Sequence, residues 1–199
     1  MRSPSVPGLL LISLAAAALP GCGTSAPARL YRLDSAAIPS GAPAVRTAVM
    51  VGPVAVPAAV DRPEFVVQVA PNRVEVEEFD RWAAPLDDSI ARAVAGDLTV
   101  LLPSPNVTTA PLADFNPAYS VTINVQRFES VKGQAALLDA VWIVSSPARG
   151  KARSGRTVDH EAAEGEGFDA LAAAHSKAVA KLSSDIAAVI RTESGGNTE

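Results

Sequence analysis

Hydrophobic and polar positions follow one another along this chain in two rhythms, and the switch between them marks out its elements. Tyr119, Val121, Ile123 and Val125 alternate with Ser120, Thr122, Asn124 and Gln126. That is the period of a strand buried on one face, and it predicts a strand over residues 119–128. Residues 135–144, AALLDAVWIV, are apolar on both faces apart from Asp139, which predicts a central strand, with Lys132-Gly133 as the turn before it. Residues 149–163 are polar and charged, the composition of an edge strand. Upstream, the β-branched run at residues 47–57 predicts another strand. Residues 64–79 hold two alternating stretches around Ala70-Pro71-Asn72-Arg73, a hairpin with Pro and Asn in its turn.

The helical rhythm occurs twice. Leu86, Ile90, Val94, Leu98 and Leu101 form one stripe in a helix predicted over residues 85–102, with Pro85 at its start, Asp87 and Asp88 in its first turn, and Pro103 and Pro105 at its end. Phe168, Leu171, His175, Val179, Leu182, Ile186 and Ile190 form the second. The order β-β-β-α-β-β-β-α predicts an α/β fold of the α+β sandwich kind: one domain in which two main helices cover a mixed, largely antiparallel sheet. A chain of 199 residues with 48% hydrophobic and 19% charged positions has enough apolar material for one such core. Residues 29–192 are assigned to this domain, with a loop over residues 35–45 and a polar, disordered tail over residues 193–199.

A third apolar stretch is of another kind. Residues 8–19, GLLLISLAAAAL, follow Arg2 and the amino terminus, and are too short to span a bilayer. They match the apolar core of an export signal over residues 1–21. Immediately after comes Cys22, the single cysteine of the chain, so no internal disulfide forms. Leu19-Pro20-Gly21-Cys22 resembles the lipobox of bacterial lipoproteins. That resemblance implies cleavage before Cys22, diacylglycerylation of its sulfur and acylation of the new amino terminus. An ordinary secretory cleavage leaving a free thiol is the other reading. Buried acyl chains contribute about 0.8 kcal/mol per methylene, enough for durable anchoring when two or three are present. Residues 22–28 then form a lipidated tether. Its six residues after the cysteine span at most about 20 Å.

Five blocks carry a wider resemblance: VAVPAAVDRPEFVV (54–67), RWAAPLDDSIARAVAGDL (81–98), VQRFES (125–130), AALLDAVWIV (135–144) and AHSKAVAKLSSDIA (174–187). In this order they resemble the PqiC (YmbA-like) family of ABC-transport auxiliary lipoproteins, from about Tyr31 to Ile190. Where that family carries a Tyr-Leu pair before Asp-Arg-Pro, this chain has Ala59-Val60. The resemblance implies an outer-membrane lipoprotein facing the periplasm. It would serve a transporter whose MCE-domain partner moves lipids or other hydrophobic molecules between membranes. A homo-oligomer fits a conduit component, although no heptad repeat marks one.

Chemistry on the residues themselves is sparse. A net charge of −4 speaks against nucleic acid as a partner, and loss of the leader takes away one more positive charge, Arg2. With two histidines, His160 and His175, and no second cysteine, a zinc site would have to be built almost wholly from carboxylates. The acidic run at residues 159–166, DHEAAEGE, lacks the spacing of a calcium loop and is read as a solvated loop rather than a metal site. No phosphate-cradling glycine loop and no Gly-x-Ser-x-Gly elbow occurs. No cofactor, metal or catalytic residue is therefore expected. His175 reads as a core residue, with a Ser-His hydrolase as the sharper alternative.

Two surface features are candidates for contact. Asp61-Arg62-Pro63 is a partner contact or simply turn chemistry, because Pro63 extends the residue before it. Arg149, Lys151, Arg153 and Arg156 form a basic patch for lipid phosphates or an acidic partner, or else protect a sheet edge from unwanted pairing. The expected function is that of a non-enzymatic accessory subunit docking a transport conduit at the outer membrane. A structural envelope-assembly lipoprotein and a periplasmic lipid hydrolase are the alternatives.

Overall fold

A computed structural model describes residues 26–195 apart from 40, 42, 46, 105, 112 and 114. The expected export signal over residues 1–21, Cys22 with residues 23–25 of the expected tether, and residues 196–199 lie outside the described residues. The elements run β1 (Arg29–Tyr31), β2 (Val49–Ala55), β3 (Glu64–Ala70), β4 (Arg73–Trp82), α1 (Leu86–Leu101), β5 (Val107–Thr108), β6 (Tyr119–Val131), β7 (Ala135–Ser146), β8 (Lys151–Ala162) and α2 (Gly167–Gly195). They form the expected single α/β domain, a curled mixed sheet of eight strands with two helices.

β6 is the spine of the sheet. One of its sides is shared: β2 pairs in parallel with its first half, from Val49 opposite Tyr119, and β3 in parallel with its end, where Val67 faces Ser130. Its other side pairs along nearly its whole length with β7, antiparallel, and β7 pairs with β8 in the same sense. The long pairings are thus antiparallel, as the alternation predicts. The β6–β7 turn passes through Gly133 at a φ of 66°, a left-handed conformation open to glycine. The β3–β4 turn is Pro71-Asn72, with Asn72 at a φ of 60°, a conformation asparagine tolerates. The register of β2 on β6 slips between Val51 and Val54, where Pro53 has no amide hydrogen for the ladder.

Both helices cover the same face of the sheet. The predicted stripe of α1 is buried at every position, and that of α2 at every position except Phe168, which is partly buried. They meet Val49, Val51, Phe65, Val67, Val121, Ile123, Leu138, Trp142 and Val144 from the inner face of the strands. Among the described residues no helix covers the outer face. Val141 and Ile143 of β7 are therefore exposed although the strand is central, so apolarity on both sides of this strand does not mean burial on both.

Three features differ from the sequence reading. β1 and β5, three and two residues long, exist only through parallel pairing with β4 and β2, and no local pattern marks them. Residues 159–162 of the acidic run belong to β8 rather than to a loop. α2 continues past residue 192 to Gly195, because Glu193 and Ser194 find partners there: Arg153 donates to the Glu193 carboxylate at 2.8 Å, and the Ser194 and Tyr119 hydroxyls share a 3.1 Å hydrogen bond.

Candidate functional site

The described chain begins beside β4, and its first strand is fastened there by more than three residues of pairing. Arg29 donates through Nε and Nη2 to both oxygens of Asp80, at 2.7 and 2.6 Å, and the Tyr31 hydroxyl donates to Asp80 Oδ1 at 2.8 Å. Asp80 is buried while the Arg29 side chain is largely exposed. A planar guanidinium gripping a carboxylate in this forked way is among the strongest polar contacts available to a side chain. The Arg29 hydrogen bonds hold the Asp80 carboxyl below the usual range, against its burial. Burial, followed by the bond to Asp80, pushes the Tyr31 phenol up to about 12. The Tyr31 ring stands edge-on to Phe65, and Phe65 stacks on Trp82. The Tyr31 carbonyl accepts from the Ala83 amide at 2.7 Å. The first strand is thus held on β4 by a charged fork and an aromatic cluster together.

This tether root is the arrangement that sequence reasoning missed. Tyr31 was legible as an apolar position, but Arg29 and Asp80 are 51 residues apart and meet only through the β1–β4 pairing. Before the root, Ala26 and Ala28 lie in a groove of about 430 Å³ lined also by Arg62, Glu64, Val76, Glu78, Phe79 and Arg81. Asp61, Arg62 and Pro63 are all exposed at the entry to β3, and Arg62 alone of the three lines this groove. Arg62 and Arg81 both pair with Glu64, at 3.2 and 2.7 Å, and the Pro63 carbonyl accepts from the Trp82 amide. The triplet therefore closes a turn, and its Arg62 borders the groove.

The basic run is divided by the alternation of β8. Arg156 lies opposite Val141 on the outer face and forms a two-pronged pair with Asp139. Arg153 lies opposite Val144 on the inner face and reaches Glu193 at the end of α2. Arg149 precedes the strand, donates to the Glu193 carbonyl at 2.6 Å and sits 6.0 Å from the centre of the Tyr119 ring. Lys151 is exposed. Three of the four charges thus gather near one end of the molecule and the fourth is on another face. At that end, Pro43, Val45, Ala118, Tyr119, Ala148 and Arg149 help line an open cavity of about 660 Å³.

His175 is wholly buried. Its ring stacks on Phe128 at 3.9 Å and shares a 2.8 Å hydrogen bond between Nε2 and Ser130 Oγ. Burial pushes its pKa down to about 3. A serine-histidine pair is therefore present, but Nδ1 has no hydrogen-bond partner, so no carboxylate orients the ring. Ser130 is buried as well. A nucleophile in this position has neither an oriented base nor a path for substrate. Among the described residues no group of three or more His, Cys, Asp or Glu has the geometry to hold a metal ion, and no helix is long and apolar enough to cross a membrane.

Residues 31–187 match the profile of the ABC-type transport auxiliary lipoprotein components. The chain belongs to this family. The auxiliary lipoprotein also shares its fold with solved structures. One is the crystal structure of an uncharacterized protein, at a TM-score of 0.68 and 20% identity, covering 83% of this chain and 99% of that one. Another is a Xanthomonas campestris protein of family DUF330, at 0.66 and 19% identity over the same shares. No curated protein matches it in sequence. Membership makes the chain a membrane-anchored envelope lipoprotein that assists a transport system, and the matched segment begins at Tyr31, within the tether root.

Proposed function

We propose that this auxiliary lipoprotein is the lipid-anchored accessory subunit of an MCE-type, ABC-dependent transport system, and that it docks the far end of a conduit for lipids or other hydrophobic molecules. Acyl chains on Cys22 hold it at the periplasmic face of the outer membrane. The observation that carries the proposal is the tether root, where the family domain is bolted through Arg29 and Tyr31 to Asp80 seven residues after the cysteine. A fastening of that kind serves a domain that must bear load from its anchor. The ordered blocks shared with PqiC-like proteins support the MCE partner. ATP hydrolysis and movement of the cargo then belong to other subunits. Asp61-Arg62-Pro63 and the basic residues around Arg149 are the surfaces offered for contact.

Copurification from detergent-solubilised membranes tests the partner: an MCE-domain protein is expected, and recovery only of cell-wall or assembly components overturns the proposal. Intact-mass measurement of the membrane fraction tests the anchor. A mature chain that starts at Cys22 with acyl mass is expected, and the same chain without it removes the anchor. Replacing Arg149, Lys151, Arg153 and Arg156 with Gln is expected to weaken binding to anionic vesicles or to the MCE partner; unchanged binding to both removes these residues from the contact surface.

A further inference from the structure

The outer face of the sheet carries two separate groups of uncovered apolar side chains, and only one of them adjoins the tether. Val141, Ile143 and Val158 lie together on β7 and β8. Leu30, Val74, Val76 and Phe79, exposed by 65, 60, 42 and 42%, lie on β1 and β4. Val74 and Val76 are two residues apart on one face of β4. Val76 and Phe79 line the same groove as Ala26 and Ala28, and Leu30 sits opposite Arg81, which lines it too. Tyr31 and Arg29 turn toward Asp80, so Leu30 between them turns the other way.

Chain length decides what this patch meets. Ala26 lies in the groove, and the four residues back to Cys22 reach at most about 14 Å. An acylated Cys22 therefore holds the bilayer within that distance of Ala26, in the groove that Val76 and Phe79 also line. The charges around the groove oppose docking weakly, since Glu64 is already paired with Arg62 and Arg81 and Glu78 is balanced by this excess of arginine. We infer that Leu30, Val74, Val76 and Phe79 form a membrane-docking patch that inserts its side chains into the lipid interface and fixes the orientation of the domain on its anchor. This rests on the anchor at Cys22 proposed above. The acyl chains supply attachment, and the patch supplies a defined tilt that attachment at a single point lacks.

The lone cysteine allows a test that separates the two claims. The mature full-length chain is coupled through the Cys22 thiol to a maleimide-bearing lipid in phosphatidylethanolamine–phosphatidylglycerol vesicles, with or without bromine-labelled acyl chains. In this setting the tether is imposed chemically, whatever the cell does to Cys22. Phe79→Trp is expected to emit at shorter wavelength on the vesicles and to lose emission to the bromolipid, while Val158→Trp does neither. Trp82 and Trp142 are buried and serve as the constant background. An unquenched Phe79→Trp, or a Val158→Trp quenched as strongly, overturns the docking patch. Shielding of position 79 from aqueous quencher without bromolipid quenching assigns the patch to a protein neighbour and overturns it equally. Absence of acyl mass on the chain from cells removes the anchor instead.

Discussion

Ser183 Oγ donates to Asp97 Oδ2 at 2.9 Å, joining α2 to α1 at a point where both residues are fully buried. The other oxygen of Asp97 accepts from Ser35 Oγ at 2.7 Å and from the amides of Ala36 and Ala37 at 2.9 and 3.0 Å. One carboxyl group thus ties two helices to the loop that leaves the tether root. Gly96 beside it permits the approach, because a Cβ there would lie 3.0 Å from the Ser35 Cβ. Removing the carboxyl takes the acceptor from the Ser35 hydroxyl and the Ala36 and Ala37 amides of the loop, and leaves Ser183 of α2 only the Val179 carbonyl. Asp97→Ala is therefore expected to cost about 3 kcal/mol and Ser183→Ala about 1 kcal/mol. Urea unfolding monitored by circular dichroism reads both, and an Asp97→Ala midpoint equal to wild type contradicts the assignment.

Trp142 lies flat over Gly155, its register partner on β8. A Cβ at position 155 would fall 2.3 Å from Trp142 Cζ2, inside the contact limit of any carbon pair. The indole cannot simply swing away, because Nε1 donates to Thr157 Oγ1 at 3.1 Å and that hydroxyl donates on to Asp185 at 2.8 Å. Gly155→Ala is expected to cost about 1 to 3 kcal/mol and to change the near-ultraviolet circular dichroism of the tryptophans. Stability and spectrum both unchanged would show that the indole is free to move.

The pH response should carry the signature of His175. Folded, the ring has a pKa of about 3 through burial, against an ordinary value of 6.5. Below about pH 6.5 the unfolded chain takes up a proton that the folded chain refuses, so this contribution is whole above that pH and is lost as pH falls toward 3. At pH 5 the loss is about 2 kcal/mol. His175→Gln stays neutral and is expected to flatten the stability profile between pH 7 and 5 relative to wild type. Parallel profiles for the two proteins rule out this source.

Asp80 and Tyr31 give the tether root opposite dependences. The Asp80 carboxyl is held low by Arg29, so its contribution is present above about pH 4 and lost as pH falls further. The Tyr31 phenol is raised to about 12, so its contribution is whole below pH 10 and lost as pH climbs from there. In Asp80→Asn, amide hydrogens of residues 29–31 are expected to exchange faster, and Tyr31 to titrate earlier yet still above an exposed tyrosine, since burial is the larger cause. Unchanged exchange at these amides would show that pairing with β4 alone holds β1.

Elements whose pattern is complete within their own length are legible in the amino-acid sequence alone. The stripe from Leu86 to Leu101 needs only helical spacing to show which side is buried, and the alternation from Tyr119 to Val125 shows the same for β6. The turns at Pro71-Asn72 and Lys132-Gly133 and the charged edge strand β8 follow from local chemistry in the same way. The blocks that resemble auxiliary lipoproteins, and Cys22 after its apolar run, are likewise contiguous stretches. Burial on the outer face of β7 is not legible, because Val141 and Ile143 look the same whether or not a helix covers them.

The sequence by itself therefore determined the class of fold, both helices, the antiparallel half of the sheet and the family to which the chain belongs. Only the tertiary structure decided which distant residues work together. It made strands of Arg29–Tyr31 and Val107–Thr108, set Arg29 and Tyr31 on Asp80, placed Arg62 beside the tether, split the basic run between two faces and paired Ser130 with His175. The physical reason is range. Periodicity and turn propensity act over a few neighbouring residues and leave their mark there, whereas a buried pair or a sheet register is selected by the whole core and leaves none.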